Sequence, residues 1–275
     1  MKFNSKDLDL STPQVMGILN TTPDSFSDGG QHDCFDSAVR HAAGMVKSGV
    51  SFIDVGGEST RPGAPEVSVQ QELDRVIPVI EAIQQRFDVV ISVDTSKPEV
   101  ITEAVRAGAA LINDVRALQA PGALAAAVSA QVPVCLMHMQ GEPKTMQSAP
   151  VYQNVVGEVT DFLRRRTNAC IDAGIDKGNL IVDPGYGFGK SLAHNYLLLA
   201  QLSKIQVLGY PVLVGMSRKS MIGKVLHNEV HERLAGSIAL ATLAAQAGAN
   251  IIRVHDVQQT IDAVKIVNQF LAVQQ

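Results

Sequence analysis

The chain has 275 residues, 46% of them hydrophobic, and a formal net charge of −4. That is enough for one large core, and residues 1–275 are expected to form a single domain. So weak a charge argues against nucleic-acid or membrane-surface partners, and an anionic ligand must be drawn by a local cluster of cations.

The first predicted strand, Val15–Leu19, ends on Asn20 and leads through a long loop, Thr21–Cys34, into a helix over Phe35–Ser48. Strand Phe52–Val55 carries Asp54, and a second long loop, Gly56–Val67, precedes helix Ser68–Arg86. Strand Val89–Val93 ends on Asp94 before helix Pro98–Ala107, and strand Ala110–Ile112 ends on Asn113-Asp114 before helix Gly122–Ala130. Strand Val132–Met137 ends on His138, and a third long loop, Met139–Val151, precedes helix Tyr152–Ala173. Strand Leu180–Val182 ends on Asp183 before helix Ala193–Lys204. Strand Val212–Gly215 runs into Ser217-Arg218-Lys219 before helix Glu232–Ala247, and strand Asn250–Val254 with Arg253 and His255 precedes helix Val257–Ala272.

Continuously apolar strands alternating with amphipathic helices describe parallel strands covered on both faces. Eight such units predict a single (β/α)8 TIM barrel. The polar residues at the strand exits then form a cup on its C-terminal face, with extended βα loops 1, 2 and 5 around it.

Cys34, Cys135 and Cys170 lack a C-x-x-C pair, and Cys135 reads as plain core. The start, Met1 to Lys6, has no apolar signal core, and no run approaches membrane-spanning length. A cytoplasmic location with reduced thiols is expected.

Several clusters offer chemistry. Loop 1 supplies the oxygens of Asn20, Asp24 and Asp28, which suit Mg²⁺ shared with a substrate phosphate, although Asn, Asp, Ser and Gly also make turns. In loop 2, Arg61 between Thr60 and Pro62 is either a fork donor for phosphate or a solvated arginine. Asp94, Asn113 and Asp183 suit a flat heterocycle bearing ring N–H and amino donors, with Asp94 alternatively an N-cap. Lys219 and Ser220 open a helical segment and with it an anion site. Arg253 and His255 lie two apart and share a face, where burial is costly without an anion, so a ligand role is favoured over a structural pair. The segment Pro184-Gly185-Tyr186-Gly187-Phe188-Gly189-Lys190-Ser191 imitates a P-loop but begins on Pro184 after Asp183. Its glycines are expected to bring backbone against a flat ligand beside Phe188, with Lys190 exposed.

From Val15 to about Val267 the chain resembles the dihydropteroate synthases. The likeness rests on Gly17-Ile18-Leu19-Asn20-Thr21-Thr22-Pro23-Asp24-Ser25-Phe26-Ser27-Asp28-Gly29-Gly30 and Ile53-Asp54-Val55-Gly56-Gly57-Glu58-Ser59-Thr60-Arg61-Pro62-Gly63. Ser92-Val93-Asp94-Thr95, Ile112-Asn113-Asp114, Asp183-Pro184-Gly185, Ser217-Arg218-Lys219-Ser220 and Arg253-Val254-His255-Asp256 add to it, and Tyr186 departs from the family's frequent Phe.

The resemblance implies condensation of 4-aminobenzoate with (7,8-dihydropterin-6-yl)methyl diphosphate to 7,8-dihydropteroate and diphosphate, in an enzyme that is a sulfonamide target. It implies that Asp94, Asn113, Asp183 and Lys219 read the pterin. Asn20, Thr60, Arg61, Arg253 and His255 hold the diphosphate end, with Mg²⁺ on Asn20 and Asp28 a further ligand. Ser220 takes the aminobenzoate carboxylate, and Phe26, Thr60, Pro62 and Lys219 wall its ring. The catalytic set is Asn20, Arg61, Lys219, Arg253 and His255. Rival readings are a methyltetrahydrofolate:corrinoid methyltransferase-like barrel, which is not expected to carry Thr60-Arg61-Pro62 and Ser217-Arg218-Lys219-Ser220, and a non-catalytic pterin-binding subunit. Helix Glu232–Ala247, apolar on nearly every side, is expected to be covered either by a neighbouring helix of the same chain or by another subunit, and the resemblance favours a homodimer packed through this end of the chain, with Ala241, Ala244 and Ala245 at the contact.

Overall fold

The computed structural model describes residues 1–22, 31–59, 64–141 and 150–273. An antiparallel hairpin, β1 (Lys2–Phe3) and β2 (Lys6–Asp7), comes first. Then follow β3 (Gln14–Asn20), α1 (Gln31–Ser48), β4 (Phe52–Gly56), α2 (Val69–Arg86), β5 (Val90–Asp94), α3 (Pro98–Ala107), β6 (Leu111–Asp114) and α4 (Ala123–Ala130). The chain continues through β7 (Val134–Met137), α5 (Val155–Asp172), β8 (Leu180–Asp183), α6 (Leu192–Ala200), α7 (Leu202–Gln206) and β9 (Leu213–Val214). It ends with α8 (Ser220–Leu226), α9 (Leu234–Gln246), β10 (Ile251–Val254) and α10 (Val257–Ala272). The parallel sheet runs β8-β7-β6-β5-β4-β3-β10-β9, and a parallel bridge between Val182 and Val212 joins its two ends into the predicted barrel.

Strand parity sorts the side chains. Val15, Leu19, Ile53, Val55, Ile91, Val93, Val134 and Leu136 point outward and pack with the helices in one apolar cluster. Their alternates, Met16, Phe52, Val90, Leu111, Cys135, Ile181, Leu213 and Ile251, fill the lower barrel in a second cluster. Cys135 is core, as expected. The hairpin was not anticipated. It closes the floor, with Phe3 fully buried edge-on to Phe52 at 5.0 Å between ring centroids.

Two to four strand positions higher, most of the inward residues become polar. Asn20, Asp54, Asp94, Asn113, Asp183, Arg253 and His255 all have inward parity, whereas Asp114 and His138 have the outward one. Asp114 instead ties its own loop: its carboxylate accepts Ser96 Oγ, Arg116 N (2.8 Å) and Leu118 N (2.7 Å).

Boundaries moved where caps or breaks intervene. The predicted helix 193–204 divides at Gln201 into α6 and α7. The helix expected from Tyr152 starts at Val155, because Asn154 caps it by accepting Gly157 N. Helix α1 begins at Gln31, four residues before its expected start, which shortens loop 1; much of loops 1, 2 and 5, with Phe26, Asp28, Thr60, Arg61 and Pro62, falls outside the described residues.

Candidate active site

The cup is built from two networks. Arg253 on β10 lies in the first, its side chain 19% exposed. Its Nε donates to Asp54 Oδ2 at 2.5 Å and its Nη2 to Asp94 Oδ2 at 2.7 Å. Asp54 Oδ2 also accepts Asn113 Nδ2 at 3.0 Å. Burial pushes the Asp94 carboxyl up to about 7; Arg253 opposes this, and the negative charges of Asp54, Glu72 and Asp114 reinforce it. Arg253 is therefore structurally paired. The cost of burying it is met inside the chain, so that cost no longer argues for a ligand, contrary to the sequence reading. No hydrogen bond engages Nη1 among the described residues, which leaves one edge of the guanidinium for a ligand.

Asn20 stands at the end of β3, beside Gly56. Asn20 Oδ1 and Asp94 Oδ2 both face the space above Gly56, each 3.8 Å from where a methyl group would sit. Asp94 does not cap α3. The N-cap is Lys97, and Thr95 Oγ1 accepts its N–H at 3.2 Å.

The second network surrounds the glycine loop 184–190. Asp183 is buried, and its Oδ1 accepts Gly185 N at 2.7 Å. Burial raises its carboxyl above the usual range, against the pull of Lys219. Lys219 Nζ donates to Tyr186 O and lies 4.7 Å from the centroid of the Phe188 ring. Burial pulls its ammonium down to about 8, while Asp183 supports the charged form. Phe188 is thus beside the site, as the sequence suggested.

Lys190 overturns its expected exposure, being 3% exposed. Its Nζ donates to the carbonyls of Gly185 (2.9 Å), Phe188 (3.0 Å) and His138 (3.3 Å), and to His138 Nδ1 at 2.9 Å. An ammonium can be buried when it gains this many acceptors. His138 is kept neutral by burial and by Lys190, its ring driven down to about 2, so Nδ1 can accept. Gly185, at φ +71°, presses on the same place: a Cβ there would lie 1.9 Å from His138 O. The loop is thereby fastened to the exit of β7. Next to it, Val115, Arg116, Met137, Met139 and Phe162 line a cleft of about 240 Å³.

After β9, Ser217 Oγ accepts His255 N at 3.2 Å and lies 3.1 Å from His255 Nδ1. Arg218 takes a left-handed backbone, φ +58°, which is strained for a side-chain-bearing residue. Ser237 Oγ accepts its N–H at 3.0 Å, Arg233 Nη1 donates to its carbonyl at 3.0 Å, and Asp256 holds its guanidinium. Ser220 is exposed at the first turn of α8.

Sequence reasoning missed three supports. Asp54 was noted only as polar punctuation, although a carboxylate inside an apolar strand could have marked it. Lys190 and His138 meet only in space, as do Glu58, Lys97 and Glu72, where Lys97 Nζ bridges both carboxylates beneath loop 2. Among the described residues no three His, Cys, Asp or Glu side chains gather as a metal cluster, and no helix is long and apolar enough to cross a membrane.

Residues 16–255 match the family model of pterin binding enzymes. The chain is 60% identical to the dihydropteroate synthase of Escherichia coli (strain K12) over 265 residues, 96% of this chain and 94% of that protein. It superposes on a Yersinia pestis dihydropteroate synthase in complex with a sulfonamide drug at a TM-score of 0.95 and 57% identity, covering 99% of each chain. A Xanthomonas albilineans dihydropteroate synthase with 4-aminobenzoic acid matches at a TM-score of 0.91 and 52% identity, covering 97% of this chain and 95% of that one.

Proposed function

The chain belongs to the dihydropteroate synthase family, and from that membership we propose how its cup divides the work. Its reaction joins 4-aminobenzoate to (7,8-dihydropterin-6-yl)methyl diphosphate, releasing diphosphate. The methyltransferase-like and non-catalytic readings are not favoured. The observation that carries the assignment of roles is the pairing of acceptors and cations in one cup.

Asp183 Oδ2, Asp94 and the Asn113 amide accept the donors of the pterin edge, and Lys219 donates to its carbonyl side. Arg253 Nη1 and His255 meet the diphosphate with Arg61 and Thr60. Departure of that highly charged group is the hard step, and cations placed where charge develops lower the barrier. The ring pushes electrons toward the methylene carbon. The arylamine is neutral and needs no deprotonation before attack, so no general base is assigned. Ser220 and the first turn of α8 receive the aminobenzoate carboxylate, and Phe26, Thr60, Pro62 and the Lys219 stem hold the ring. A sulfonamide of similar shape fits the same place.

Asn20 is a hard oxygen donor on the rim of the cup and suits Mg²⁺, with Asp28 as a further ligand. Few protein oxygens are enough, because Mg²⁺ keeps waters and takes substrate phosphate oxygens. When bound, the ion adds positive charge at the leaving group. Incubating the pure protein with both substrates and Mg²⁺ should release diphosphate. No release would refute the catalytic reading.

We also propose a single-domain, cytoplasmic homodimer. The interface probes suggested by sequence must change, since Ala241, Ala244 and Ala245 are buried inside the protomer. The outer faces of α9 and α10 instead present Leu243, Ile266 and Phe270, which are 50%, 72% and 47% exposed. Light scattering should give twice the chain mass, and Ile266→Glu with Leu243→Glu should halve it. A monomer mass for the parent protein would rule the dimer out.

A further inference from the structure

We propose that Asp54 is a positioning residue: a single carboxylate sealed beneath the cup sets Arg253 and Asn113 in the orientations from which they meet the pterin diphosphate. The inference rests on the ligand roles proposed above for those two residues.

Asp54 sits on β4 between Ile18 and Ser92 of the neighbouring strands. It is 0% exposed, so it does not itself reach solvent. Its Oδ2 receives two donors, Asn113 Nδ2 at 3.0 Å and Arg253 Nε at 2.5 Å. Its Oδ1 is buried with no hydrogen-bond donor among the described residues.

Each bond removes an ambiguity. An asparagine amide can turn over and exchange acceptor for donor. With Asn113 Nδ2 committed to Asp54, the Asn113 oxygen must face the cup, so this residue reads a ligand N–H rather than a carbonyl. For Arg253, Nε and Nη2 form one edge of the guanidinium, and Asp54 and Asp94 divide that edge between them. The plane is then fixed at two points, and the Nη1 side turns toward ligand. Asp94 alone would leave Arg253 free to pivot about one bond.

Buried ion pairs can often be replaced by apolar residues of similar volume without loss of stability. Leaving Asp54 Oδ1 without a donor is moreover unfavourable. A costly carboxylate with an unpaired oxygen, whose other oxygen holds two residues of the cup, is consistent with selection for orientation.

The test is Asp54→Asn, which keeps the shape but cannot accept both donors through a charged oxygen. Calorimetry should show affinity for 6-hydroxymethylpterin and for inorganic diphosphate each falling by about tenfold or more. KM for the pterin diphosphate should rise, while KM for 4-aminobenzoate at saturating pterin diphosphate stays unchanged. A merely structural defect would move both. Arg253→Met and the double variant complete a cycle. If Asp54 acts through Arg253, the double variant binds diphosphate no more weakly than Arg253→Met alone. Losses that multiply would overturn the inference, whereas an Arg253→Met or Asn113→Ala variant with parental affinity would overturn the ligand reading instead. Should Asp54→Asn not fold, nitrogen-15 spectra of the parent decide. The Arg253 Nε–H signal should keep its hydrogen-bonded shift and slow exchange when pterin and diphosphate bind, and its loss on binding would overturn the proposal.

Discussion

The two sides of the cup hold their cations differently. Toward β3, β4, β5 and β10, Arg253 is held by the carboxylates of Asp54 and Asp94. Toward β7, β8 and β9, Lys190 and Lys219 lean largely on backbone carbonyls, those of the glycine loop and of His138. Carboxylate partners keep the guanidinium protonated at every relevant pH. Carbonyls satisfy an ammonium's hydrogens without a full countercharge, and burial draws Lys219 and Lys190 down to about 8 and about 7. The cation on one side is therefore a fixed charge within a frame of carboxylates, and the cations on the other are sensitive to pH.

The largest effect is expected from breaking the frame. Arg253→Ala leaves Asp54 and Asp94 buried without their cation and should cost about 3–5 kcal/mol of stability, read by denaturant melts. In whatever fraction folds, inorganic diphosphate should lose far more affinity than a pterin without phosphates. Equal losses for both ligands would reduce Arg253 to a structural part.

Asp183→Ala breaks the other side. It removes a charged hydrogen bond of about 1.5–3 kcal/mol, roughly 10- to 150-fold in pterin affinity. Calorimetry giving a value within about twofold of the parent would sink Asp183 as a pterin reader.

The pH response sharpens the contrast. Above about 8 the folded protein holds Lys219 as a neutral amine, so kcat/KM for the pterin diphosphate should fall as pH rises through that value. Folding goes the other way. Between about 8 and the ordinary 10.5, the unfolded chain binds the proton and the folded one does not, so this group adds stability as pH rises. Activity that falls while the melting temperature holds would identify Lys219. In Lys219→Gln the alkaline limb should vanish, and an unchanged limb would assign it elsewhere.

The smallest effect concerns Tyr186, whose hydroxyl is buried without a partner among the described residues. Tyr186→Phe removes that unsatisfied group and should stabilise the fold by about 1 kcal/mol, leaving Tyr186 O and its bond to Lys219 intact. A lower melting temperature would show that the hydroxyl has a partner in solution.

Most of the architecture was legible from order and parity. Apolar strands at regular intervals specify a parallel barrel, and alternation along each strand places Asn20, Asp94, Asn113, Asp183, Arg253 and His255 on its inner side without any coordinates. Helix ends were less so, because the Asn154 side chain caps α5 and Gln201 separates α6 from α7, local features that hydrophobic periodicity does not carry.

Only the tertiary structure decided who pairs with whom. Arg253 reads in sequence as a cation awaiting an anion, yet its partners are 199 and 159 residues away, on strands that closure of the sheet brings alongside. Lys190 reads as a surface lysine after a glycine loop, and it becomes buried because the carbonyls of Gly185 and Phe188 in its own loop and the carbonyl and ring of His138 at the exit of β7 converge on it. A residue's chemistry and its strand face are local properties, written in its identity and its register. Its charge state and its free hydrogen-bonding edge depend on burial and on neighbours from distant segments, and those exist only once the barrel has closed.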